Sequence, residues 1–280
     1  MDYPQTFSDV LTLADSIGET YIGHGNPLAP VLIVANEPGT VSEWQLTNDF
    51  SKNLERWKKN KDCLLGIEDV ACAFDDNNNL LSDRFNPLYP YRGQRYVKVR
   101  WPKDDKKHEG EPVNKEKRPT SYSWKQYQKL IDIIFRPGYI RNSSDNLDFF
   151  SQSFITDFSS ACALKSSQVD KSVRGKSIHN RLNLFRTPFF NSFPVTIVAA
   201  GHYIDGIKEL NDLTTVFPRY RYMGLIKNSL GWLNIHYRDD GEGILIHCKH
   251  FASCISDDYL KFIARFATPF VNNRRLPRHL

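Results

Sequence analysis

Four short apolar runs, each nearly continuous rather than alternating, constrain this chain more than any other feature. They are Pro30–Ala35 (PVLIVA), Ser153–Thr156 (SFIT), Val195–Ala200 (VTIVAA) and Gly243–Ile246 (GILI). A strand with one wet face alternates polar and apolar residues. A strand covered on both faces does not, and parallel sheets are the usual home of the second kind. Elsewhere the pattern turns helical. Trp124–Phe135 sets Trp124, Tyr127, Leu130, Ile131 and Ile134 on one face, and Asp257–Phe266 sets Tyr259, Phe262, Ile263 and Phe266 on one stripe. Ser256 is placed to cap the latter helix, and the Asp257–Asp258 pair suits the positive end of its dipole. Strands alternating with helices imply a three-layer α/β/α sandwich around a central, mainly parallel four-stranded sheet.

The remaining bounds are looser. The 280 residues suffice for one large domain or two small ones, and 40% hydrophobic with 25% charged residues is ordinary for a globular chain with a real core. The formal charge of +5 fits a nucleic-acid partner without requiring one. No run approaches the roughly 18 apolar residues that span a bilayer, and Met1-Asp2-Tyr3-Pro4 does not open a signal peptide, so a cytoplasmic location is expected. Cys63, Cys72, Cys162, Cys248 and Cys254 are odd in number and form no Cys-x-x-Cys pair, which argues for buried free thiols rather than a zinc or cluster site. Residues 76–120 differ in character. Three consecutive Asn, several Pro and a mixed-charge stretch point to a long loop or insertion. From Lys98 to Arg118, eight Lys/Arg stand against five acids, a pattern of a solvated face or, alternatively, of a phosphate-contacting arm.

In an open α/β sheet, ligands bind beyond the carboxyl ends of the strands, so the residues after each run carry the functional information. They are Asn36-Glu37-Pro38-Gly39, Asp157-Phe158-Ser159-Ser160, Gly201-His202 and His247-Cys248-Lys249-His250. Singly, each has a plain explanation: a Pro-Gly turn, an N-cap, a satisfied core histidine. Together they supply carboxylates, an acceptor and imidazoles, which are parts for activating water and stabilising an anionic leaving group.

This ordered set resembles the uracil-DNA glycosylase superfamily. The clearest match is Tyr21–Gly39, YIGHGNPLAPVLIVANEPG, where Gly23, Gly25, Asn26, Pro27, Ala29, Pro30, Pro38 and Gly39 fit the family's lead into its first strand and first motif. Phe154-Ile155-Thr156-Asp157 is similar to its strand ending in Thr-Asn, Phe193–Gly201 to its third strand, and Ile244–Ser253 to the strand before its His-Pro-Ser. The resemblance covers about Tyr21–Gly39 and Ser153–Phe266, and it implies a single domain interrupted at about 76–120.

What the resemblance implies is a monomeric, metal- and cofactor-free enzyme that hydrolyses the N-glycosidic bond of a base flipped out of DNA, single- or double-stranded. By position Glu37 activates water with Asn36 as its neighbour, and His250, or in the competing register His247, stabilises the departing base. Asp157 and Gly39 contact the base, and Phe158, Tyr122 and Trp124 are stacking candidates, with core packing the alternative for Trp124. Lys165, Lys171, Arg174 and Lys176 follow the second strand and either grip phosphates or belong to a solvated loop. Asp157 stands where the family reads uracil with Asn. An ionised Asp only accepts hydrogen bonds, so it would repel uracil O4 and suit an exocyclic amine. That change points to a different or modified base, as in host defence against phage, or to an Asp kept protonated by burial. The altered motifs equally suit a catalytically silent DNA- or nucleotide-binding module.

Overall fold

The computed structural model describes residues 1–37, 46–75, 79–96, 122–142, 144–162, 169–252 and 255–272. The chain is mixed α/β. Its helices are α1 (Gln5–Ser16), α2 (Asn53–Asp62), α3 (Tyr122–Phe135), α4 (Lys171–Phe185), the short α5 (Leu213–Val216) and α6 (Asp257–Asn272). Its strands are β1 (His24–Gly25), β2 (Val31–Ala35), β3 (Ser153–Asp157), β4 (Val195–Val198), β5 (Tyr220–Asn228), β6 (Gly231–Arg238) and β7 (Ile244–His247). They form one sheet in the order β1-β3-β2-β4-β7-β6-β5.

The four apolar runs become β3, β2, β4 and β7, which are mutually parallel and buried at every position. The expected four-stranded sheet is nevertheless corrected to seven strands, because antiparallel strands extend both sides. On one side β1 pairs with β3. Gly25 and the preceding Gly23 permit this: a Cβ on Gly23 would stand 2.4 Å from the Ile155 carbonyl oxygen, and one on Gly25 2.2 Å from that of Ser153. On the other side the β5–β6 hairpin adds an edge that is mostly exposed along β5. Asn228 closes its turn by accepting from the Leu230 and Gly231 amides.

One continuous apolar core embeds the parallel strands and takes in α1, α3, α4 and α6. The α3 stripe buries Tyr127, Leu130, Ile131 and Ile134, and α3 packs on α6. Ser256 caps α6 through its hydroxyl, 3.2 Å from the Tyr259 amide, and the helix runs past Phe266 and through Pro269 to Asn272. The stretch after β3, open to a loop reading from sequence, is helical from Lys171, with Asp170 accepting from the Ser172 and Val173 amides. The charged 98–118 stretch lies outside the described residues. Within the expected insertion, residues 79–96 are described: Phe85 and Tyr91 join Ala73 and Phe74 in a small second core, and Leu88 and Tyr89 reach the main one. Cys63 and Cys72 are exposed free thiols, contrary to the expectation of burial, whereas Cys248 is buried and free. Among the described residues no helix is long and apolar enough to cross a membrane.

Candidate active site

The connection from β2 leads to β3 on one side, while β4 lies on the other. Between β2 and β4 the strand order therefore reverses, and this is where doubly wound sheets open a crevice for ligands. A cleft of about 420 Å³ lies at this place, lined by Asn36 after β2, Gly201 and Tyr203 after β4, Trp232 on β6, and Lys249 and His250 after β7. Gly201 opens a 3₁₀ segment, Gly201–Gly206, with a left-handed φ of 56°. A Cβ there would come within 3.2 Å of the His250 amide nitrogen, so the missing side chain lets the ends of β4 and β7 close up.

Glu37 is held firmly. The Arg174 guanidinium donates to both carboxylate oxygens, Nε to Oε2 at 2.8 Å and Nη2 to Oε1 at 2.9 Å. The Tyr203 hydroxyl adds a third bond to Oε2 at 3.2 Å. The Glu37 side chain is only 2% exposed. Burial, then the Glu37 charge, push the Tyr203 phenol well above its ordinary range, so it remains a donor. Asn36 presents a buried Oδ1 with no hydrogen-bond partner among the described residues. An acceptor left so, in the wall of a cleft, is a place for a ligand N–H.

Asp157 lies beside this pair, since β3 runs next to β2 with Ala35 opposite Asp157. The Phe158 and Ser159 amides donate to the carbonyls of Ala35 and Asn36 and fasten the two strand ends together. The Asp157 carboxyl accepts from Tyr21 Oη at 3.0 Å, and the buried Arg181 donates to its main-chain carbonyl at 2.8 Å. Burial raises the Asp157 carboxyl to about 6; Arg181 and Tyr21 pull it down, and the Glu37 charge raises it further.

The two histidine registers separate in the structure. His247 is committed on both sides of its ring, with Nε2 2.8 Å from the Gly201 carbonyl and Nδ1 3.2 Å from Asn234 Nδ2, as a core histidine would be. His250 is half-buried in the cleft wall and makes no side-chain hydrogen bond among the described residues. Burial lowers its pKa, so the neutral imidazole is favoured.

The other expected site residues scatter. Phe158 is fully buried against Phe185 and offers no face to a ligand in this conformation. Trp124 is half-buried among Tyr91, Phe149 and Phe150, away from the lining of the cleft. Tyr122 begins α3. Lys171 and Lys176 are exposed on α4, whereas Arg174 turns inward to Glu37. Gly39 and Lys165 lie outside the described residues.

Sequence reasoning missed Tyr203, Trp232, Lys249 and Arg181 as components of the site. Trp232 stacks obliquely near His202 and edge-on to His247, with centroids 5.3 and 4.9 Å apart. Its only signal was the Trp-x-Asn-x-His alternation of β6, which reads as a strand once β6 is known. Comparison with family models, curated proteins and solved structures gives no match for this chain. The chemistry must be read from the geometry: an amide oxygen unpartnered among the described residues and an imidazole line a concave space at the strand ends, and a clamped carboxylate is bonded to the Tyr203 of its wall.

Proposed function

We propose that this chain is a DNA base glycosylase, a hydrolase that cleaves the N-glycosidic bond of a flipped base by water activation, and a divergent relative of the uracil-DNA glycosylases. The observation that carries the reading is the convergence of Asn36 and His250 on one cleft at the switch point, with Glu37 tied to its Tyr203 wall. The Tyr21–Gly39 resemblance supports it independently. In this reading the helices cover the sheet as a three-layer sandwich, and the chain acts as a monomeric single domain on intracellular DNA.

Asn36 Oδ1 takes an N–H of the extruded base. Glu37 orients or deprotonates the water that attacks C1′. The neutral His250 donates to the base as negative charge develops on it. Arg174 neutralises Glu37 in the free protein, and a substrate phosphate competes for the same guanidinium, which releases the carboxylate as DNA docks. The partly protonated Asp157 carboxyl can donate to a base carbonyl or accept from an exocyclic amine, so plain uracil is not favoured over modified bases.

Incubation with DNAs carrying different bases, followed by mass spectrometry of free base, tests this reading. Glu37→Gln and His250→Ala are each expected to lower base release by about a hundredfold or more, the usual loss for a positioned acid or base. Full activity in both folded variants would remove the assignment. A second reading, a silent DNA- or nucleotide-binding module, is favoured by the bidentate Arg174 clamp on Glu37. Release of any base across the panel eliminates it.

A further inference from the structure

A second cavity, of about 460 Å³, is lined by residues of the 3₁₀ segment, the start of α5 and strands β5, β6 and β7, and neither Glu37 nor His250 lines it. Asn234 and His236 alternate with buried Leu233 and Ile235 along β6 and so share one side of it. Tyr222 stands opposite His236 on β5, and His247 opposite Asn234 on β7. The 3₁₀ segment and the start of α5 close the space with Asp205 and Asp212.

Three features of the lining point to one ligand chemistry. First, His236 is 5% exposed, yet its Nδ1 is buried without a partner among the described residues. Burial lowers its pKa to about 4, which favours the neutral imidazole and lets Nδ1 serve as an acceptor. A buried acceptor of this kind is costly to leave empty. Second, the lining holds two carboxylates and no Lys or Arg, within a chain of net charge +5. Asp212 uses Oδ1 to cap the Thr214 amide and hydroxyl, and Asp205 uses Oδ2 on His202. The second oxygen of each makes no hydrogen bond among the described residues. Third, the Tyr222 ring is 54% exposed and lies 5.1 Å from the His236 ring, so it offers a π-face to a cation. Among the described residues, no three His, Cys, Asp or Glu side chains are grouped to hold a metal ion.

We propose that this cavity, lined by Asp205, Asp212, Tyr222, Asn234, His236 and His247, binds a small organic cation through a guanidinium or ammonium group. The carboxylates set the charge, His236 Nδ1 accepts an N–H at the floor, and Tyr222 covers the cation from the solvent side. The volume lies within the usual range for small-molecule pockets.

The group can belong to a free amine or to an arginine side chain of a peptide. Calorimetric titration at fixed ionic strength separates these with two probes, agmatine and the tripeptide Gly-Arg-Gly, against Gly-citrulline-Gly as the uncharged control. Saturable binding of agmatine or of the arginine peptide is expected, with none for the citrulline peptide. The tighter of the two probes identifies the source. His236→Phe and Asp205→Asn are each expected to weaken binding about tenfold, the loss of one hydrogen bond to a charged group. Asp205 is exposed, so its variant tests the site even where the His236 substitution perturbs folding. Glu37→Gln is expected to leave the titration unchanged, which separates this site from the proposed base-release chemistry. No saturable binding of either cationic probe, equal binding of the citrulline peptide, or undiminished binding by a folded Asp205→Asn protein overturns the proposal.

Discussion

Asp157 shows how one side chain links stability to specificity. Its folded carboxyl is raised from an ordinary 3.8 to about 6 because the charged form is buried. A raised carboxyl binds its proton more tightly in the folded state, so its contribution is fullest below pH about 4 and is lost as pH rises through 6. The shift corresponds to about 3 kcal/mol between those limits. Asp157→Asn removes the titration, and the variant is expected to melt about 5 °C above the parent at pH 7.5. The gap should close as pH falls toward 4, and an equal gap at both pH values would contradict the burial argument. The same substitution restores a side chain that both donates and accepts, so uracil release should rise relative to other bases. Glu37 gives a different case, a buried carboxylate paired with the Arg174 guanidinium and the Tyr203 hydroxyl. Arg174→Ala strands a nearly inaccessible anion whose remaining side-chain partner among the described residues is Tyr203, and a loss of about 3 kcal/mol is expected. Arg174→Ala/Glu37→Gln should recover most of that loss in a double-mutant melting cycle, since the penalty lies in the uncompensated charge.

Among the elements, β2, β3, β4 and β7 were legible in the sequence because each is buried on both faces and therefore apolar at nearly every position. The helices α3 and α6 were legible because one face of each is dry. The hairpin was not: β5 is largely exposed and carries Arg221 and Lys227, and β6 mixes Leu233 and Ile235 with Asn234 and His236. The helix α4 was hidden for a different reason, since its buried side includes Arg181, which serves Tyr21 and Asp157 rather than the core. The candidate site divides the same way. Asn36, Glu37, Asp157 and His250 could be picked out because topology dictates where strand ends go. Tyr203 and Arg174 could not be assigned as partners of Glu37, because those contacts span 166 and 137 residues of chain. The lead-in glycines have a steric cause, and it can be tested. Gly25 has φ 97° and sits against the Ser153 carbonyl oxygen. Gly25→Ala adds both strain and a backbone clash, so a loss of at least about 2 kcal/mol is expected by denaturant unfolding. Gly18, with φ 69° but nothing within 4 Å of a new Cβ, should lose less on the same substitution.

At the scale of the molecule, two regions differ in charge. The switch-point cleft is flanked by α4, whose exposed Lys171 and Lys176 sit on the helix that delivers Arg174 to Glu37. The cavity beside the hairpin is lined by Asp205 and Asp212 without a basic residue. In a chain of net +5, a polyanion is attracted by the α4 lysines and repelled by the two cavity carboxylates. DNA held in this way releases counterions, and each neutralised phosphate contributes about 0.9 to the slope of log affinity against log salt on duplex, or about 0.7 on a single strand. Lys171→Ala/Lys176→Ala should thus flatten the slope by about 2 when both lysines meet phosphate, and fluorescence anisotropy across a salt series measures it. Asp205→Asn/Asp212→Asn is expected to leave that slope alone, because neither carboxylate lies on α4. An unchanged slope in the lysine variant would move the DNA track off α4. It would also remove the reason for supposing that phosphate competes with Glu37 for Arg174, since the competing anion must arrive along this helix.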